Sequence, residues 1–323
     1  DMALIPWISK GYLEPLDNLI DLSKYEADFP NQQSTAVEEG KTYGIIYEGF
    51  PYGALIINGR LLEEADAEVP TTPEELLAVS EAIYEATGKT GLAHPTNIAN
   101  SSYIMQGGMI VINGFGGRIV NDMGEFTVDS PEFIEGVKFL RDIYELESHP
   151  AGQEFGLQRE QFLAEEAGMV MDGSYWPSIV KLNSPENYDD LKVVKLPFSD
   201  PASPFETNWY AVNSNTSMEK KEAAAKFIEF LLKPENANEW AVVSSIPGLK
   251  FTYEAVMEEY PWFEIYADAS PHGIVRPLTD HEANTPEIRR MVADAIGAVM
   301  IGEEEAEAAM SLLKEDLNNR FGD

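Results

Sequence analysis

Residues 162–176 read FLAEEAGMVMDGSYW. Inside this segment Met169 to Met171 form a short run that is apolar on both faces, the pattern of a strand covered on both sides. Asp172-Gly173-Ser174 follows, and the glycine lets the backbone turn sharply, so Tyr175 and Trp176 are presented just past the strand. A carboxylate and two aromatic rings thus stand at the carboxyl end of a buried strand, where open α/β folds hold their ligands.

Working outward, runs of the same kind recur at Tyr43 to Tyr47, Ala54 to Asn58, Val193 to Leu196 and Tyr210 to Asn213. Amphipathic helices alternate with them. Thr72 caps one, with Pro73 at the first helical position and Glu75 completing a capping box, and Leu76, Val79 and Ile83 as its buried stripe. Ser130-Pro131-Glu132 opens a second, with Phe133, Val137, Leu140 and Tyr144 on one face. Thr285-Pro286-Glu287 opens a third, with Ile288, Val292, Ile296 and Val299. Gly88 and Gly302 read as helix stops, and Asn121-Asp122-Met123-Gly124 as a hairpin turn. The alternation predicts α/β layers with helices covering mainly parallel sheets. No repeat and no flexible linker is visible, so two lobes would have to be joined by ordered crossovers.

The chain has 323 residues, 44% apolar and 11% aromatic, enough for substantial cores. Its 56 acidic against 22 basic residues give a net charge of -34. Such a field repels nucleic-acid phosphate and anionic lipid headgroups, which argues against nucleic acid as a partner. There is no cysteine, hence no disulfide, thiolate nucleophile or Cys-ligated zinc. No apolar stretch approaches the roughly 20 residues that span a bilayer. The sequence opens on Asp1-Met2-Ala3-Leu4-Ile5, an abrupt start that suggests a preceding segment.

The order of these features resembles family 1 of the extracellular solute-binding proteins, the maltose-binding-protein-like receptors of carbohydrate ABC importers. Gly11-Tyr12-Leu13-Glu14-Pro15-Leu16 resembles that family's G-x-L-x-P-L segment, and Gly40 to Tyr47 its GKxYGIPY strand with Ile46 in place of proline. Ala54 to Asn58 resembles the crossing strand ALYYN, followed by the PTTPEEL run from Pro70 to Leu76. Residues 162–176 resemble FxxGxAAMxxxGxW, and Lys220 to Ala241 the helix-Pro-Glu-helix unit, with Phe227, Ile228 and Leu231 facing its core. The resemblance implies a two-lobed, type II periplasmic-binding-protein fold with hinge crossovers, lacking the first β-α-β of its N-terminal lobe. It implies an N-terminal lobe from 1–53 and 213–272, and a C-terminal lobe from 54–212 and 273–323.

It also implies a function: extracytoplasmic binding of a sugar or oligosaccharide by lobe closure and delivery by a monomer to an ABC transporter permease. The location would be the periplasm or, for a surface lipoprotein, a Gram-positive cell exterior. By resemblance Tyr175 takes the sugar-stacking position, since a pyranose offers an apolar C–H face to an aromatic ring and hydroxyls to polar neighbours. Asp172 joins it. For Trp176, core packing and ligand contact both stand. Tyr47 and Glu48 are read as a loop after the strand that enters the first crossing, and Asn208 and Trp209 as preceding the strand of the second crossing. Arg276 lies in a third crossing, bridging carboxylates or binding ligand oxygens. Asp1 and Gln106 complete the candidate ligand-binding set.

No catalytic residue, metal site or cofactor is expected. The sequence contains no G-x-S-x-G elbow, Walker loop, H-E-x-x-H or complete G-x-G-x-x-G. His94, His149, His272 and His281 lack metal-ligand spacing and read as surface or satisfied structural histidines. A polyamine or other small cationic solute is the closest rival ligand, because aromatic walls with carboxylates also suit ammonium groups. A glycan-active enzyme, with a carboxylate pair among 56 acidic residues, is the third reading.

Overall fold

The structure is a computed structural model that describes residues 4–27, 33, 35–274 and 278–322. Its strands, in chain order, are β1 (Leu13–Glu14), β2 (Val37–Glu38), β3 (Lys41–Thr42), β4 (Ile45–Pro51), β5 (Ala54–Asn58), β6 (Thr90–Ala93), β7 (Ala167–Asp172), β8 (Leu191–Lys195), β9 (Phe205–Tyr210) and β10 (Val212–Asn213). The chain divides into two compact units. The first joins Asp1–Pro51 to Phe205–Arg276, and the second joins Tyr52–Pro204 to Pro277–Asp323. The return crossing therefore falls before β9, not after it at residue 212 as the sequence suggests. The reason is pairing: β9 lies antiparallel on β4 from Ile45↔Tyr210 to Pro51↔Phe205, which commits it to the first unit.

In the second unit the sheet order is β6-β7-β5-β8. Among the described residues only β6–β7 is parallel, while β5 runs antiparallel to β7 and β8; β1–β10, β2–β3 and β4–β9 are antiparallel too. This corrects the expectation of mainly parallel sheets. A strand that is apolar on both faces carries no mark of direction, and β5 with β7, buried at every position, are such strands. Ile56, Ala93, Phe162, Val170, Trp176 and Val180 form a core cluster around them.

Helix starts follow local chemistry. Thr72 Oγ1 accepts the Glu75 N–H at 3.2 Å, but the Glu75 carboxylate turns to the Thr71 N–H and hydroxyl, 2.7 Å each, instead of closing a box on Thr72. Ser130 Oγ accepts the Phe133 N–H at 3.2 Å at the head of Pro131–Glu145. Helix Pro73–Thr87 ends at Gly88, φ 72°, a left-handed cap that glycine adopts without strain. The helix Thr285–Met300 starts from Asn284 without a side-chain cap bond, and the Thr285 hydroxyl donates to Glu282 O. The 121–124 turn is a hairpin, with Gly124 at φ 76° and a Val120↔Phe126 bridge.

In the first unit Leu16, Ile45, Ile46, Val212, Ile228 and Leu232 pack together. Ala225, Ile228 and Leu232 form the buried stripe of Met218–Leu231 and its C-cap. Phe227 falls outside that spacing and is 61% exposed, so its expected core role is wrong. Among the described residues no helix is long and apolar enough to cross a membrane.

Candidate functional site

β7 delivers Asp172 as its last residue, 0% exposed. The helix Phe155–Leu163 packs on β6 and β7 and brings Arg159 to it as a fork: Nε donates to Oδ2 at 2.8 Å and Nη2 to Oδ1 at 2.9 Å. Oδ1 also accepts from the Gly173 N–H at 2.8 Å and from the Tyr175 hydroxyl at 2.7 Å, and Arg159 Nη2 bonds the same hydroxyl. The guanidinium lies over three rings, 5.2 Å from the centroids of Phe155 and Tyr175 and 5.7 Å from Trp176. Burial works against the arginine's charge, yet the bond to Asp172 and its negative field hold the Arg159 pKa above its ordinary value. Burial, then Asp172, pushes the Tyr175 phenol up as well, so it stays a neutral donor.

Gln106 belongs to the same constellation. It sits in a single π-helical turn, Ile104–Gly108, and its amide donates to the Tyr52 hydroxyl. Tyr52 in turn is close enough to perturb both Arg159 and Tyr175 electrostatically. π turns are uncommon and recur at functional positions. Trp176, by contrast, is 2% exposed and part of the core cluster, the packing alternative of the two left open by the sequence.

The first unit gathers a second group. Tyr47 and Glu48 lie inside β4 instead of in a loop after it, and Asn208 and Trp209 lie inside β9. The strand continues because β9 pairs with it; the register shifts between Ile46 and Glu48, so Tyr47 is the extra residue of a bulge. Glu48, 7% exposed, accepts from Asn208 Nδ2 at 2.8 Å and from Trp240 Nε1 at 2.7 Å. Tyr47 stacks on Tyr210, centroids 4.1 Å apart and planes at 14°. Burial, then Glu48, raises both phenols. These rings and Trp240 border a pocket of ≈ 370 Å³ with Asn236, Leu231 and Thr252. Trp209 packs against the unit's hydrophobic clusters and donates its indole N–H to Thr207 at 3.0 Å. Asp1 and Arg276 lie outside the described residues.

Arg159, Tyr52 and Trp240 were not singled out from sequence. Arg159 alone left a trace there, as a rare cation among 56 acidic residues with Phe155 one helical turn before it. The histidine reading needs correction at one position. His149 is satisfied, with Nδ1 on Leu92 O at 2.9 Å and Nε2 on Thr96 Oγ1 at 3.0 Å. His94 is neither exposed nor satisfied: it is 0% exposed and neither ring nitrogen has a hydrogen-bond partner among the described residues.

With this geometry in hand, the chain can be set beside known proteins. A profile of the bacterial extracellular solute-binding proteins matches residues 2–260. A curated relative, the putative ABC transporter periplasmic-binding protein YcjN of Escherichia coli, is 25% identical over 211 residues, 64% of this chain and 47% of that protein. The matched part thus spans about half the length of that relative. Among solved structures, maltose-bound MalE3 of T. maritima superposes with a TM-score of 0.83 at 22% identity, covering 98% of this chain and 82% of that one. A solute-binding protein from Thermotoga lettingae bound with alpha-D-tagatose gives 0.83 at 20%, over 98% and 82%. The fold is that of the two-lobed, type II periplasmic binding proteins. By the profile match over most of its length, this chain belongs to the bacterial extracellular solute-binding protein family.

Proposed function

We propose that this protein binds a sugar or oligosaccharide outside the cytoplasm, in the periplasm or on the cell surface, and passes it as a monomer to the membrane permease of an ABC importer. The observation that carries the neutral-ligand reading is the state of the two buried carboxylates. Asp172 accepts from Arg159, Gly173 and Tyr175, and Glu48 accepts from Asn208 and Trp240. Each is already engaged, and at Asp172 a guanidinium occupies the place among the aromatic rings that an ammonium group would need. A charged solute gains little there, whereas an uncharged polyol can use polar atoms and ring faces together. Similar proteins carry maltose and alpha-D-tagatose, which supports the same ligand class here.

The family is one of binding proteins, and the geometry agrees with binding, because neither carboxylate is left as a free acid or base for glycoside chemistry. The test is a thermal-shift and calorimetric screen of neutral mono- and oligosaccharides beside putrescine and spermidine. A saccharide at about a hundred times its Kd should add about 2.7 kcal/mol of stability. Its affinity should hardly change with added salt. Stabilisation by polyamines alone, fading as salt screens carboxylates, would refute the reading.

A further inference from the structure

β6 and β7 run parallel with Ala93 opposite Val170, so His94 and Asp172 leave the sheet at the same, carboxyl end. The helix that supplies Arg159 also supplies Gln158, 0% exposed, with neither its amide nitrogen nor its oxygen hydrogen-bonded. The same is true of both nitrogens of His94. Two fully buried polar side chains, one just past β6 and one on the helix that packs on β6 and β7 and carries Arg159, are therefore unpaired among the described residues. Natural structures rarely leave such groups unsatisfied, and each exception calls for a partner. His149 shows what a structural histidine looks like in the same region, with both nitrogens used.

The π turn that carries Gln106 covers His94. At Gly107 a side chain would put a Cβ 2.3 Å from Pro95 Cγ and 3.4 Å from His94 Cε1, so the bare backbone of the turn lies against the imidazole edge. Within the sugar-binding reading of this site, on which the inference rests, we propose that His94 and Gln158 are ligand-binding residues that receive an uncharged hydroxyl group of the solute when the π turn yields. Burial, with His149 nearby, lowers the His94 pKa to about 3, so the ring is neutral and offers one donor and one acceptor. The Gln158 amide offers the same pair. A hydroxyl, which both donates and accepts, is the group that matches.

The experiment compares wild type, His94→Leu, His94→Gln and Gln158→Leu by titration calorimetry with the saccharide found in the screen, and by thermal melts without ligand. His94→Leu and Gln158→Leu should each weaken binding about tenfold or more, about 1.4 kcal/mol. Their unliganded melting temperatures should hold or rise, because an unpaired polar group is replaced by an apolar one. His94→Gln should recover part of the affinity. Imidazole NMR signals of wild type should shift at His94 and not at His149 when saccharide is added, a readout that survives poor folding of any variant. Unchanged affinity, or a silent His94 signal in a saccharide-saturated wild type, overturns the proposal while leaving the sugar reading intact. A wild type that binds no saccharide removes both.

Discussion

The carboxylate of Asp172 has no contact with water and accepts at least four hydrogen bonds, two of them from one guanidinium. Removing one partner of a buried ion pair is far worse than never having had the pair, because the remaining charge stays desolvated. Arg159→Ala should therefore cost about 3–5 kcal/mol in denaturant unfolding. Arg159→Lys should also be clearly destabilising, since an ammonium cannot supply the two-pronged donor that spans both oxygens. If both variants unfold at the wild-type midpoint, Asp172 is not held as described. At this scale the sequence showed only part of the site. Asp172 and Tyr175 were legible because a strand, a glycine turn and an aromatic follow one another along the chain. Trp240 was not, because its partner Glu48 is 192 positions away and nothing near Trp240 announces it.

Elements were legible in proportion to how local their causes are. Helices with a hydroxyl cap and a proline at the first turn begin where the sequence places them, at Thr72 and Ser130. Ser130→Ala and Thr72→Ala should each lower stability by about 1 kcal/mol in chemical denaturation, with Glu75→Ala adding a smaller loss through Thr71. Strand ends were less legible, as β4 shows: Tyr47 and Glu48 look like a loop beside Gly49 and Pro51, yet pairing with β9, far along the chain, keeps them extended. β6 adds a pH dependence. His94, just past it, has its pKa lowered to about 3 by burial and then by His149, and His149 is lowered by burial. The unfolded chain takes up protons near pH 6.5 that the folded chain refuses, so stability is full above that pH and falls as pH drops toward 3. Between pH 6.5 and 5 His94 alone should remove about 2 kcal/mol. His94→Leu should flatten that slope in melts recorded across this range; an unchanged slope would assign the acid sensitivity to other groups.

For the whole molecule the dominant quantity is the net charge of -34. Surface pairs such as Lys138–Glu307 at 2.5 Å and Arg290–Asp294 at 3.3 Å offset little of it, since exposed ion pairs contribute about 0–1 kcal/mol each. Salt has two opposing effects here: it weakens these pairs and it screens the repulsion among the uncompensated carboxylates. With 56 acidic and 22 basic residues, most acidic side chains have no cation to lose, so repulsion outweighs attraction. The melting temperature should therefore rise as NaCl increases from about 0.01 to 1 M, where the Debye length falls from about 30 to 3 Å. KCl should act like NaCl at equal ionic strength if the effect is screening and not a bound ion. The acid branch separates this repulsion from the histidines. From pH 7 to 5 most carboxylates stay ionised, their ordinary pKa values lying near 4, so self-repulsion changes little while His94 and His149 reach the range where the unfolded chain is protonated. Stability should accordingly fall over that interval at every salt concentration, with parallel curves displaced upward by salt. Curves that converge at high salt would instead make the acid loss a matter of surface charge and remove the buried histidines as its cause.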